Sequence, residues 1–137
     1  MKSIKDRNKM IHPLNILIAD DDSINQLVVQ RMLKKLGIAT DVVSNGLEAV
    51  SALEEQSYDI VLMDIQMPKM NGIEATKIIR ERWPQRPKII VISDCAPNLY
   101  RDICFDAGAT DFLSKPIKIK EICTAIERNM SEKSHQQ

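Results

Sequence analysis

Five residues in this sequence put polar side chains behind short apolar runs. Asp20 and Asp21 follow the run 14–19, Asp64 closes 60–63, Ser93 closes 88–92, and Lys115 comes after 109–113. One such carboxylate alone merely ends a strand. Together they are three carboxylates, a hydroxyl and an ammonium, and they have a chemistry if the chain brings them to one place. A concentration of anions is costly unless cations join it, and Lys115 supplies a single positive charge. A divalent metal is therefore implied, and an all-oxygen set of ligands suits Mg2+, which keeps some of its waters. A metal, a lysine and a hydroxyl around one carboxylate are what phosphoryl transfer needs, because that reaction is catalysed by positioning and neutralisation. A carboxylate can itself be the nucleophile and form an acyl phosphate.

The elements that must position these groups are legible. Runs 14–19, 39–43, 60–64, 88–93 and 109–113 have strand length, and Ile60-Val61-Leu62-Met63 is apolar throughout, as in a strand covered on both faces. Helical spacing separates them. Ser23 is placed to cap the first helix, whose apolar face is read as Ile24, Leu27, Val28, Leu33 and Leu36, ending at Gly37. Asn45 with Glu48, and Asn71 with Glu74, have the spacing of capping boxes, with Asn in place of Ser or Thr. Leu47, Val50 and Leu53 give the second helix its apolar face. The third runs to about Trp83, with Pro84 and Pro87 at its exit. A short helix follows Pro97 and stops at Gly108. The last carries Ile119, Ile122, Cys123, Ile126 and Met130 on one stripe. Strand and helix alternate five times, which implies an α/β fold with a parallel sheet and helices on both faces. Right-handed crossovers make it doubly wound. In such a sheet all strand carboxyl ends point to one edge, where ligands bind.

The bulk numbers narrow the class. The 137 residues fit one domain with one substantial core. Nineteen basic and nineteen acidic residues cancel, which argues against a broad nucleic-acid footprint. No apolar run is long enough to span a bilayer, and the leader 1–13 lacks the apolar stretch of a secretory signal. Cys95, Cys104 and Cys123 are odd in number and widely spaced, so neither a disulfide framework nor a zinc site is suggested. The expectation is a cytoplasmic protein with reduced thiols. The expected layout is a leader or linker at 1–13, a domain at 14–130 and an unstructured polar tail at 131–137.

Four stretches carry a resemblance. Ile16-Leu17-Ile18-Ala19-Asp20-Asp21-Asp22, Leu62-Met63-Asp64-Ile65-Gln66-Met67-Pro68, Ala107-Gly108-Ala109 and Leu113-Ser114-Lys115-Pro116, in this order and at these intervals, resemble the receiver domain of two-component response regulators. The wording around Asp64, with Asn25, is most similar to receivers of hybrid sensor histidine kinases and phosphorelays. The resemblance implies a flavodoxin-like fold of five strands in the order 2-1-3-4-5. It implies that Asp64 accepts a phosphoryl group from a phosphohistidine, and that Asp20, Asp21, Asp64 and the backbone carbonyl of Gln66 hold Mg2+. Lys115 would pair with the phosphoryl oxygens, before a cis bond to Pro116. Ser93 stands at the position of a switch hydroxyl and Phe112 at that of a switch aromatic, although Phe112 fits the core equally well. The implied partner is a histidine kinase or a histidine phosphotransfer protein. The face that changes, and could pair two copies, is helix 4, strand 5 and helix 5. Catalysis would extend only to the chain's own phosphorylation and dephosphorylation.

Departures and alternatives weigh against this background. Asp94 stands beside Ser93 where the family usually has Ala or Gly, and it either caps the following turn or adds an anion at the site. Cys95 and Gln66 occupy positions that tune phosphoryl lifetime in the family. Asp22 and Ser23 read as helix caps, Cys104 and Cys123 as core, and His12 and His135 as solvated. A metal-assisted aspartyl phosphatase would want a second Asp where Gln66 stands. A flavin module would want a Ser/Thr/Gly-rich loop where three aspartates follow the first strand. A pseudo-receiver, folded but not phosphorylated, is the alternative, working only as an interaction module. No DNA-binding domain is expected after the last helix, and the Lys-bearing leader favours a piece cut from a longer protein.

Overall fold

The computed structural model describes residues 14–94 and 97–135. The strands are β1 (Asn15–Ala19), β2 (Ala39–Val43), β3 (Ile60–Asp64), β4 (Lys88–Ser93) and β5 (Asp111–Ser114). The helices between and after them are α1 (Ser23–Lys35), α2 (Gly46–Glu55), α3 (Gly72–Arg82), α4 (Pro97–Ala107) and α5 (Ile119–His135). The strands form one parallel sheet in the order β2-β1-β3-β4-β5. Fold class and strand order are as expected.

The register decides which side chains meet. Ile16 lies beside Ile60 and Leu17 beside Val61; the two members of a pair point to the same face, and successive pairs alternate between faces. Leu17, Ala19, Val61, Met63, Ile89 and Val91 point to the face covered by Ala49, Val50 and Leu53 of α2, Ala75 and Ile79 of α3, and Cys104 of α4. Ile16, Ile18, Ile60, Leu62, Ile90 and Ile92 meet Val29 and Leu33 of α1 and Ile122, Ala125 and Ile126 of α5. Every residue of β3 is buried. Truncating one of these large side chains to Ala would cost about 2–5 kcal/mol.

Several local expectations change. The cap of α1 is Asp22 rather than Ser23: its carboxylate accepts from the Ile24 amide at 2.9 Å and the Asn25 amide at 3.4 Å. Ser23 is the first helical residue. Ile24, Leu27 and Val28 are not the buried face of α1 but are 71%, 48% and 45% exposed, while Val29 and Leu33 pack on the sheet. The cause is a stretch apolar on more than one side, so spacing alone leaves the contact stripe undetermined. On α2, Ala49 is buried and Leu47 is exposed, because Gly46, Ala49, Val50 and Leu53 form the i, i+3, i+4, i+7 stripe. Asn71 and Glu74 close a complete capping box, at 2.9 and 3.1 Å. At Asn45 only half of one forms, since Glu48 reaches one residue further back to the Ser44 amide. The strand expected from Ala109 begins at Asp111, because Ala109 and Thr110 make the turn: their amides donate to the carbonyls of Cys104 and Ile89. Helix α5 runs to His135, into the stretch expected as an irregular tail. Its Glu, Lys and Ser residues include neither Gly nor Pro, so nothing stops the helix at Met130. The leader and Cys95 lie outside the described residues.

The α4–β5 turn is held from α3. Gly108 has φ +114°, and a Cβ there would stand 2.2 Å from Cγ of Arg80. The Arg80 guanidinium donates to the Gly108 carbonyl at 2.8 Å and to Thr110 Oγ1 at 3.2 Å. Among the described residues, no helix is long and apolar enough to cross a membrane.

Candidate functional site

At the carboxyl edge of the sheet, β3 ends on Asp64, which lies beside Ile92 of β4 and is only 6% exposed. The chain then turns tightly into α3. The Gly72 amide donates to the Ile65 carbonyl at 2.8 Å, and a Cβ on Gly72 would stand 2.1 Å from the Asp64 carbonyl oxygen. Only glycine lets α3 start this close to the acid. Asp20 follows β1 and is equally buried; its amide donates to Val43 and its carboxylate accepts from the Asp22 amide at 2.9 Å. Asp21 beside it is exposed. Carboxylate oxygens of Asp20, Asp21 and Asp64 all lie within 4.8 Å of one another.

Lys115 reaches the cluster from β5. Its amide donates to the Ser93 carbonyl at 2.9 Å and its Nζ to Asp64 Oδ2 at 3.0 Å. The Lys115–Pro116 bond is cis. Burial pushes the Asp64 carboxyl above its ordinary range; the hydrogen bond and charge of Lys115 and the Gln66 backbone amide pull it down, and Asp20 adds to the rise. Burial works against the Lys115 charge too, but Asp64, then Asp20 and Asp94, outweigh it and hold the ammonium above its ordinary value. The two shifts have opposite balances: burial outweighs Lys115 at Asp64, whereas the surrounding acids outweigh burial at Lys115.

Asp20, Asp21, Asp64, Gln66 and Lys115 line one cavity of about 800 Å3, together with Asp94. Ser93 and Phe112 do not line it. Ser93 is buried at the end of β4 beside Ser114, and Phe112 is packed in the core with Val91. One positioning residue has no counterpart among the sequence expectations. Gln26 Nε2 donates to the backbone carbonyls of Asp20 at 2.5 Å and Val43 at 3.3 Å, tying the acidic loop to the end of β2. A single glutamine on a helix has no distinguishing pattern, so nothing in the spacing marks it.

The three carboxylates fit a hard divalent cation by donor type and closeness, since Mg2+ takes oxygen ligands and one or two carboxylates with water. Chemically, the cavity can hold such a cation against a buried carboxylate whose other partner is an ammonium.

Residues 16–127 match the family described as "Response regulator receiver domain". The chain is 38% identical over 128 residues to hybrid signal transduction histidine kinase K of Dictyostelium discoideum, covering 88% of this chain and 11% of that protein. It is 39% identical over 116 residues to two-component response regulator 24 of Arabidopsis thaliana, covering 84% of this chain and 83% of that one. The receiver domain of a sensor histidine kinase from Pseudomonas aeruginosa, with a magnesium ion coordinated in its active site cleft, is similar with a TM-score of 0.80 at 35% identity. The match covers 87% of this chain and 98% of that one. The chain spans about a tenth of the length of the Dictyostelium kinases K and L.

Proposed function

Because the chain belongs to the family of response regulator receiver domains of two-component systems, we propose that Asp64 is its phosphoryl acceptor and that a phosphohistidine is the donor. The observation that carries this is the 3.0 Å contact of Lys115 with Asp64, inside a group of three carboxylates within 4.8 Å of one another. A carboxylate oxygen of Asp64 attacks phosphorus in line. The P–O bond forms as the P–N bond breaks, and the donor imidazole leaves and takes up a proton. Asp20, Asp21 and Asp64, with the Gln66 carbonyl, would hold Mg2+, which when bound neutralises charge on the transferred group. Lys115 stays beside Asp64 and pairs with a phosphoryl oxygen. Its own charge is secure, since the acids around it hold it above its ordinary value. Asp64 must be ionised to attack. Burial resists that, and Lys115 and the Gln66 amide counter it.

The phosphoryl group adds about −1.5 to −2 of charge. Ser93, buried one strand away, turns toward it, and the α4 end of the cavity and Phe112 follow. The loaded protein thus favours one of two arrangements of the face made by α4, β5 and α5, and a partner that distinguishes them reads the signal. The donor has a seat of its own. Ile24, Leu27 and Val28 are exposed on α1, whose Asn25 lines the cavity. They share one side of the helix at i, i+3 and i+4. A histidine kinase or phosphotransfer protein resting there brings its phosphohistidine over Asp64.

Incubating the chain with acetyl phosphate tests the reading. An acid-labile phosphoryl label that needs Mg2+ and is absent in Asp64→Asn supports it. A chain that takes no label with Mg2+ present is a pseudo-receiver working by interaction alone.

A further inference from the structure

We infer that Tyr100 of α4 is a phosphoryl-binding residue of this chain, its hydroxyl donating a hydrogen bond to the group carried on Asp64. The inference rests on the phosphoacceptor reading above. The chain has two tyrosines. Tyr58 has its hydroxyl committed, donating to Asp41 at 2.6 Å. Tyr100 does not: among the described residues its hydroxyl has no hydrogen-bond partner. Its ring is half-buried against the core that contains Met67 and Phe112, and it lines the cavity of Asp64 and Lys115. Packing alone would be served by a phenylalanine. A residue that lines the cavity with its hydroxyl uncommitted to the protein can donate to a group bound there.

Donor counting points the same way. A phosphoryl group brings three strong acceptor oxygens. From the α4 side the polar groups lining the cavity, among the described residues, are Asp94 and Tyr100. The Asp94 carboxylate is an acceptor, so Tyr100 is the side-chain donor on that wall. Phe112, on β5, has no hydroxyl to offer. A bond from Tyr100 would tie α4 directly to the loaded state.

Tyr100→Phe keeps the ring and removes the donor. The measurement is the affinity for beryllofluoride with saturating Mg2+, a mimic of the carboxylate-bound phosphoryl group, followed by fluorine NMR. The lifetime of the acetyl-phosphate label is measured in parallel. The expected result is affinity about tenfold weaker and a shorter-lived label, the lesser end for a hydrogen bond to a charged acceptor. Mg2+ affinity without beryllofluoride and the melting temperature stay unchanged, so the loss is one of neither folding nor metal binding. Wild-type affinity and lifetime in Tyr100→Phe would overturn the inference and leave the phosphoacceptor reading intact. A wild-type chain that takes neither label nor beryllofluoride overturns both.

Discussion

Removing the charge of Asp64 should stabilise the metal-free protein. Asp64 and Asp20 carry oxygens within 4.8 Å of each other. At an effective dielectric constant of about 20 that repulsion is about 3.5 kcal/mol or more. Asp21 is exposed and screened, and adds little. Lys115 at 3.0 Å offers attraction of about 5.5 kcal/mol on the same scale, trimmed by the 22% exposure of its side chain. The charge terms therefore come close to cancelling, and the desolvation of a carboxylate only 6% exposed decides the sign. That cost is several kcal/mol per buried ion, partly relieved by the Gln66 amide. Asp64→Asn, which keeps the shape, should gain about 2 kcal/mol, or roughly 5–10 °C in Tm for a domain of this size. The pH dependence has a definite sign. The folded value of Asp64 lies above 3.8, so its contribution to stability is full below that value and is lost as the pH rises through the raised one. The advantage of the variant should vanish in acid and be complete at neutral pH. Denaturant and thermal melts in chelator, at both ends of that window, provide the assay. With Mg2+ the wild type should gain about 2.7 kcal/mol at a hundred times Kd, and the variant, one ligand short, much less. A neutral-pH, metal-free melt in which Asp64→Asn is the less stable protein would refute this reasoning and make the ion pair with Lys115 the dominant effect.

Three further outcomes can be checked independently. Leu27→Asp should slow transfer from a phosphohistidine protein at least about tenfold, because a charge enters an apolar docking patch, while labelling by acetyl phosphate keeps its rate; equal slowing with both donors would remove α1 as the docking seat. Gly72→Ala should cost about 2–3 kcal/mol by overpacking and weaken Mg2+ binding, since its Cβ would lie 2.1 Å from the Asp64 carbonyl oxygen; an unchanged melting curve contradicts that contact. Asp94→Ala should speed labelling by acetyl phosphate, because it takes an anion from the wall of the cavity; an unchanged rate would show that Asp94 does not oppose the incoming group.

What could be seen in the sequence follows from how local the cause is. The strand ends at Asp20 and Asp64 are legible because β1 and β3 are buried from both sides, so their apolar runs last to the carboxyl edge of the sheet. The box at Asn71 and Glu74 was visible because it spans three residues. The contact stripe of α1 was not, because its first turns are apolar on more than one side and the sheet decides between them. Asp22 and Ser23 are both competent caps, and the backbone turn after Asp20 selects the first. Gln26 and Tyr100 stayed hidden for another reason: their significance lies in what stands across from them in space, and neither residue type is marked by spacing.

The central claim is covalent, and trapping the covalent bond tests it most directly. The chain is phosphorylated by acetyl phosphate with Mg2+ and treated at once with borohydride, which reduces an acyl phosphate to the alcohol. Peptide mass spectrometry then locates the product. The account predicts homoserine at position 64 and nowhere else, in amounts that fall to background when Mg2+ is chelated. Reduction at another carboxylate, or equal yield without the metal, would contradict it.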